Sequence, residues 1–237
     1  MDTAHRTPAG PFAALTTAHV ADACLRAGVP VRCAPAAVRP VLAGRSLAGP
    51  VRPARHVGSV DVFLEAIDRA SPGDVLVVDD GGRTDRACVG DLVVREAQAA
   101  GLAGLVVWGA HRDTADLTAV GLPVFSLGAT PTGPLALDPR PAGALDSARV
   151  GPWTVDAGDL VLADDDGVLF VPGGRAGALV EAARSIRDTE RRQADRIAAG
   201  ESLRAQLGFG DYLAARAAEP ALTFRAHLRR VGGAIEE

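Results

Sequence analysis

"DVLVVDDGGRTDRACVGDLVVREAQAAGLAGLVVWGAHRD", residues 74–113, is the stretch on which the fold turns. An apolar run at 74–79 ends in an acidic glycine turn, a helical pattern covers 90–100, and a second apolar run covers 104–109. Short runs without alternation, bounded by Gly and Asp, read as strands buried on both faces, and the segment between them carries apolar groups at helical spacing. Strand, helix and strand in this order make a βαβ unit, with parallel strands and an expected right-handed crossover. A helix over 90–100 travels about 17 Å at about 1.5 Å per residue, and a strand over 104–109 returns by about 20 Å at about 3.3 Å per residue. Asp91, in the first turn of the helix, and Arg112-Asp113, just beyond the second strand, are therefore predicted to meet at one edge of the sheet. That carboxyl edge is where open α/β sheets place their ligands.

The chemistry of such an edge follows from its parts. The first-turn amides of Leu92 and Val93 have no helical acceptor and face outward with the positive end of the helix dipole, which suits a carboxylate. Arg112 adds a planar two-pronged clamp on the same anion. Asp113, and Asp116 through water, offer hard oxygen ligands that fit Mg²⁺ or Mn²⁺ better than zinc. Together they read as a site for a small 2-oxo acid, its carboxylate on the helix and Arg112 and its ketone on the metal. Taken singly, each has a plainer reading. Asp91 is a good first-turn helix residue, and Arg112-Asp113 could be a solvated loop pair. Asp79-Asp80 and Asp164-Asp165-Asp166 read as turn chemistry, because Asp before Gly commonly ends a strand. His111 is expected to line the pocket or face solvent rather than bind metal, and Trp108 and Trp153 to be packing residues.

Outward from this unit, residues 12–28 read as a helix stopped at Gly28. The Gly- and Pro-rich 44–57 reads as short strands and turns, and 61–70 as a helix ended by Ser-Pro-Gly. Residues 121–125 read as a strand and 126–150 as loop. "AGDLVLADDDGVLFVP" at 157–172 echoes "PGDVLVVDDGG" at 72–82 too weakly to be a repeat. A long amphipathic helix is expected over 175–199, then a helical stretch near 202–218 and a tail. No Pro- or Ser-rich linker divides the chain, so one compact α/β domain over 1–199 with a helical C-terminal extension over 200–237 is expected. That extension is long enough to reach a neighbouring subunit.

Composition narrows the partners. The chain has 237 residues, 48% of them hydrophobic, which is ample for a packed core. A net charge of −4 with interspersed signs leaves no basic face for a phosphate backbone, so nucleic acid is not expected as a direct ligand. All 25 basic side chains are Arg, so no lysine imine can form. The three cysteines, Cys24, Cys33 and Cys88, show no CxxC or zinc spacing and read as reduced thiols. The N-terminus "MDTAHRTPAG" lacks signal-peptide order and no apolar run reaches bilayer length, so a soluble cytoplasmic protein without membrane partners is expected. GxSxG, P-loop, HExxH and strand-following GxGxxG motifs are absent.

"GGRTDRACVGDLVVREAQAAGLAGLVVWGAHRDTADL", residues 81–117, resembles the signature region of the family named for the regulator of ribonuclease activity A, shared with the 4-hydroxy-4-methyl-2-oxoglutarate aldolases. The aldolase branch is marked by an Asp, twenty residues, then Arg-Asp, matched here at Asp91, Arg112 and Asp113 with a further acid at Asp116. "HVADACLRAG" at 19–28 and "GDLVLADDDGVLFVP" at 158–172 resemble the same family, so the likeness covers roughly residues 12–195. It implies a three-layer swivelling β/β/α domain, trimers or pairs of trimers, and a divalent metal site between subunits. By the same resemblance Asp113 binds the metal, Arg112 the substrate, Asp91 a metal-bound water, and the Leu92 and Val93 amides the pyruvyl carboxylate. An acid from the C-terminal helix of the neighbouring subunit completes the set, with Asp188 and Glu190 both candidates, and Asp22 of the first helix is a candidate for the surroundings of the site. Two departures are His111, where the family has a small or aliphatic residue, and the tail beyond about residue 200; both bear on the native substrate.

The resemblance implies a metal-dependent lyase that cleaves 4-hydroxy-2-oxo acids, such as 4-hydroxy-4-methyl-2-oxoglutarate, to pyruvate, and decarboxylates oxaloacetate through the same enolate. The alternative is a non-catalytic regulatory binding protein of the ribonuclease-inhibitor type. Retention of Asp91 and Asp113 favours the enzyme. A menaquinone methyltransferase, a label this family has attracted, is disfavoured because no nucleotide-binding Gly-rich loop is present.

Overall fold

The computed structural model describes residues 12, 14–135 and 137–231. The expectation for the first ten residues, and the end of the tail beyond Val231, lie outside them.

The chain opens with α1 (Thr17–Arg26), the short strands β1 (Arg32–Cys33) and β2 (Arg39–Pro40), and the longer β3 (Leu47–Arg55). After α2 (Asp61–Asp68) comes the βαβ unit, β4 (Val75–Val89), α3 (Asp91–Ala99) and β5 (Gly104–His111). α4 (Thr114–Val120) and β6 (Val124–Ser126) follow, then β7 (Ser147–Val150), β8 (Trp153–Asp156), β9 (Asp159–Asp164) and β10 (Gly167–Pro172). β4 and β5 are parallel, with Val75 to Asp79 opposite Gly104 to Trp108, as the sequence predicts. One eight-stranded sheet runs β1-β10-β9-β3-β4-β5-β6-β2, and β7 and β8 form a separate hairpin.

Side chains alternate across the parallel strands, and both faces are covered. Leu76, Val78, Leu105 and Val107 pack with Phe63 of α2 and Val94 of α3 in one core. Val75, Val77 and Val106 point the other way, into a second core with Val150, Val155 and Phe170 from β7, β8 and β10. The sheet therefore curls until its antiparallel half faces its parallel half, giving the β/β/α layering that the resemblance implies. Burial on both sides explains why 75–78 is uniformly apolar rather than alternating. Fully buried Phe63, Phe125 and Phe170 anchor these cores, each side chain contributing about 1.5–3 kcal/mol by removal from water. On the outer face of β9 and β10, α1 and the long α5 (Ala176–Ala198) close a third core around Leu162, Leu169 and Leu179.

Several local expectations are corrected. Residues 44–57 yield one nine-residue strand, β3, rather than short pieces. Pro53 lies in the half of β3 that pairs with β4 alone, so its missing N–H breaks no ladder on the other side. β4 does not stop at the acidic turn but continues to Val89, with register shifts against β5 after Asp79, Arg83 and Ala87. α4 was not foreseen: it is seven residues long and buries only Leu117, too little to mark a period. The segment 126–150, expected as loop, ends in β7.

Beyond α5 the chain forms α6 (Leu203–Gln206), α7 (Phe209–Ala218) and α8 (Phe224–Val231), the last in a stretch expected as tail. Phe209, Tyr212, Phe224 and His227 gather their rings with centroids 5.0 to 6.0 Å apart, a small core within this extension. Among the described residues, no helix is long and apolar enough to cross a membrane.

Candidate functional site

At the carboxyl ends of β4 and β5 lies a cavity of about 190 Å³. Its wall includes Asp91, Leu92 and Val93 from the start of α3, and Arg112 and Asp113 from the end of β5. The convergence predicted from helix and strand lengths is present. The Asp113 Oδ2 atom lies 3.4 Å from the Asp91 backbone nitrogen and 3.3 Å from Arg112 Nε. The Arg112 amide donates to the Val89 carbonyl at 2.9 Å, tying the end of β5 to the last residue of β4.

Two backbone features make this close approach possible. Gly90 is the N-cap of α3 and has no side chain to occupy the first-turn amides. A Cβ at Gly90 would stand 2.5 Å from Asp113 Oδ2 and 3.2 Å from Arg112 Nε. Asp113 itself adopts a left-handed conformation, φ 60 and ψ 40, as the N-cap of α4. Asp tolerates that region better than most residues, but it remains a strained choice of the kind that clusters at functional sites. The turn swings the chain from β5 into α4 and leaves the carboxylate facing the start of α3. Gly133 approaches from the other side, where a Cβ would sit 2.9 Å from Arg112 Nη1, and Pro134 completes that wall.

A second guanidinium, outside the cavity wall, pairs with Asp91. Arg95 Nε holds Asp91 Oδ2 at 3.1 Å, one helical turn on, and its Nη2 reaches Asp116 at 3.8 Å. Asp116 is thus exposed, beside Arg95, and outside the cavity wall. Leu92 turns its side chain to the surface, 76% exposed, whereas Val93 is buried.

His111 neither lines the cavity nor faces solvent. It is buried, with Nδ1 2.7 Å from Ser126 Oγ and Nε2 3.1 Å from Thr114 Oγ1. Burial lowers its pKa and favours the neutral ring, which braces the first residue of α4 directly behind Asp113. Asp22, Asp188 and Glu190 are also absent from the wall. Asp22 is exposed on α1, while Asp188 and Glu190 lie on α5. Asp188 is hydrogen-bonded by Arg187, which holds its carboxyl below the usual range, and Glu190 pairs with His19 at 3.2 Å. A role for these acids at the cavity requires a second copy of the chain.

The two acidic turns differ from each other. Asp164 caps α1, accepting from the Thr17 amide at 2.8 Å and its hydroxyl at 2.7 Å, and Asp79 accepts from the Gly81 amide at 2.9 Å, both turn or cap chemistry. Asp80 is not part of the turn. Its side chain is fully buried, 2.8 Å from His56 Nδ1 and 3.2 Å from Arg83 Nη2. His56 is stacked on Phe63 and borders the cavity, as does Cys88. Neither residue was singled out from the sequence as belonging to the site, and no local spacing marks them.

A larger cavity, about 800 Å³, lies at the opposite ends of the strands, lined by Leu47, Gly73, Ala103 and Pro123 among others. Its Arg52 and Asp74 pair with each other at 2.5 Å. At the carboxyl edge, by contrast, a strained acid, a guanidinium and a helix N-terminus share a smaller space.

The family model described as RraA-like, Aldolase/RraA, matches residues 17–170. A protein of Halalkalibacterium halodurans named "Putative 4-hydroxy-4-methyl-2-oxoglutarate aldolase" is 34% identical over 161 residues, covering 66% of this chain and 74% of that relative. Among solved structures, an uncharacterized protein from Pseudomonas syringae superposes with a TM-score of 0.72 at 26% identity, over 81% of this chain and 92% of that one. Streptomyces coelicolor RraAS2, described as an unusual member of the RNase ES inhibitor RraA protein family, gives a TM-score of 0.66 at 29% identity, over 75% and 90% of the two chains.

Proposed function

This chain belongs to the RraA-like (Aldolase/RraA) family, and from that premise we propose that the carboxyl-edge cavity is the active site of a divalent-metal-dependent carbon–carbon lyase. Its substrates are 4-hydroxy-2-oxo acids such as 4-hydroxy-4-methyl-2-oxoglutarate, cleaved to pyruvate, and oxaloacetate is decarboxylated through the same enolate. The observation that carries this reading is the meeting of Asp91, Arg112 and Asp113 around the uncapped start of α3.

The donor set suits a hard cation. Asp113 and Asp91 offer carboxylate oxygens, and the missing Cβ of Gly90 keeps the space beside Asp113 Oδ2 open. Asp113 would hold Mg²⁺ or Mn²⁺, with Asp116 contributing only through water. The ion would supply Lewis-acid stabilisation of charge on the 2-oxo group. Arg112 clamps the substrate carboxylate and faces the enolate charge that develops as the bond breaks. The amides of Leu92 and Val93 hold the same carboxylate at the helix start. Asp91, fixed by Arg95, takes the proton of the 4-hydroxyl through a bridging water. With no lysine in the chain, an imine cannot serve as the electron sink.

Self-association as a trimer or hexamer would bring Asp188 or Glu190 of α5 to a neighbour's cavity, because neither acid reaches the cavity within its own chain. Mixing a variant altered at one of these acids with Asp91→Ala should then restore part of the activity, and no recovery despite subunit exchange would remove the shared site. The reaction itself is tested by pyruvate release from a panel of 4-hydroxy-2-oxo acids and oxaloacetate, with Mg²⁺, Mn²⁺ or EDTA. Release that requires the cation is expected; release from none of the panel would overturn the proposal. The likeness to an RNase ES inhibitor family member favours a second reading, a regulatory protein acting by contact. Ribonuclease inhibition undiminished in Asp113→Ala, with no lyase activity in the wild type, would select it.

A further inference from the structure

We propose a second metal site, under the floor of the cavity, in which His56, Asp80 and Cys88 hold a borderline-soft divalent cation of the Zn²⁺ class. One ligand atom from each of the three lies within 4.8 Å of the other two. The mixed nitrogen, oxygen and sulfur set is the zinc type, unlike the all-oxygen set at Asp113. Zinc bonds of about 2.0–2.3 Å require the three atoms to close by on the order of 1 Å, a side-chain adjustment.

The cluster carries an imbalance that a cation would relieve. Asp80 is fully buried, and both of its hydrogen bonds, from His56 and Arg83, fall on Oδ1. Oδ2 is buried and without a partner. An ionised carboxylate oxygen left alone in the interior is costly and uncommon. Beside it, the Cys88 thiol makes only a weak 3.6 Å contact to the Ala110 carbonyl. Burial, and then the Asp80 charge, push that thiol far above its usual range, so without a cation it stays protonated. A bound ion reverses the balance, displacing the thiol proton to solvent and meeting the thiolate and Asp80 with positive charge. Arg83 answers only part of this charge. Its side chain is 38% exposed and can withdraw outward, and its Nε is itself unpartnered.

The backbone is arranged around the cluster. His56 follows the end of β3, Asp80 stands where β4 first loses register with β5, and Cys88 stands in the last register shift, between Ala87 and Val89. Gly109 of β5 passes between them: a Cβ there would lie 2.8 Å from the Asp80 Cβ and 3.4 Å from Cys88 Sγ. A cation would pin the irregular half of β4 to β3 only two residues before Gly90, and so position the start of α3. His56 and Cys88 both border the cavity, so a fourth ligand would enter from that side.

The test uses Co²⁺ as a spectroscopic stand-in for Zn²⁺. Metal-stripped protein titrated with Co²⁺ should develop a near-ultraviolet thiolate-to-cobalt charge-transfer band that saturates at one equivalent and is lost on adding Zn²⁺. Asp113→Ala should keep the band, which separates this site from the proposed active-site cation. The Cys24→Ser/Cys33→Ser variant, with Cys88 as its last thiol, should also keep it. Cys88→Ser should lose it, and His56→Gln should weaken Co²⁺ binding at least tenfold. No band in the wild type, a band that survives Cys88→Ser, or one that vanishes when Cys88 is the last thiol would overturn the proposal.

Discussion

Asp113 Oδ2 lies 3.4 Å from the backbone nitrogen of Asp91, across 22 residues of sequence. Parallel pairing of β4 and β5 brings the end of one strand beside the helix that leaves the other, and the left-handed turn at Asp113 spans the remaining gap. The proposed site therefore draws its acid, its guanidinium and its helix start from two short segments of one βαβ unit.

Gly90 is the contact point of those segments. Gly90→Ala places a Cβ 2.5 Å from Asp113 Oδ2, and crowding of this kind destabilises by about 1–3 kcal/mol. Displacing Arg112-Asp113 by a fraction of an ångström should lower kcat/KM on the order of tenfold to a hundredfold. Thermal melts and steady-state kinetics on the purified variant check both effects; unchanged kinetics would mean that the approach is irrelevant to the chemistry.

Asp113 should show a trade-off between stability and activity. Its φ of 60 is readily adopted by glycine, and relief of left-handed strain is worth on the order of 1 kcal/mol. Asp113→Gly is expected to melt no lower than the wild type while losing lyase activity, whereas Asp113→Ala should lose activity without the relief. Denaturant midpoints of the two variants make the comparison.

Arg112→Ala should lose about 2–4 kcal/mol of transition-state stabilisation, as when an oxyanion donor is removed. Arg112→Lys should recover little, because a point charge does not reproduce the two-pronged clamp. A kcat/KM within threefold of wild type for the Ala variant would place the clamp elsewhere.

The buried, neutral His111 makes stability depend on pH. Burial depresses its folded pKa below the ordinary histidine value of about 6.5. Between the two values the unfolded chain binds more protons, so stability rises with pH through that window and falls as the solution is acidified below about 6.5. His111→Gln should lose less stability than the wild type between pH 7 and pH 5, measured by chemical denaturation at each pH. Parallel losses would show that other groups dominate.

The parts of the site legible in the sequence are those fixed by local lengths. Asp91, Arg112 and Asp113 bracket one helix and one strand, whose rises are known in advance, so their meeting could be calculated. His56, Gly133 and Pro134 come from segments placed by distant strand pairing, which no local spacing encodes. Asp80 was hidden by the Asp-Gly pattern that ends many strands; both acids are buried, and only their partners, His56 and Arg83 for Asp80 against the Gly81 amide for Asp79, tell them apart. His111 defied its expectation for the same reason, since Ser126 and Thr114 meet it only after β6 and α4 are in place. In the fold, β3 was fragmented by its prolines on paper, whereas the one-sided pairing that tolerates Pro53 is a property of the whole sheet.

The central claim, cation-assisted cleavage at Asp113, is tested most directly by measuring pyruvate release from 4-hydroxy-4-methyl-2-oxoglutarate in wild type and Asp113→Ala, stripped by chelation and then supplied with Mg²⁺ or Mn²⁺. The account predicts that the wild type falls to background without metal and recovers on its return, while Asp113→Ala, still folded, stays at background throughout. Release that persists in the stripped wild type, or recovers equally in Asp113→Ala, would contradict it.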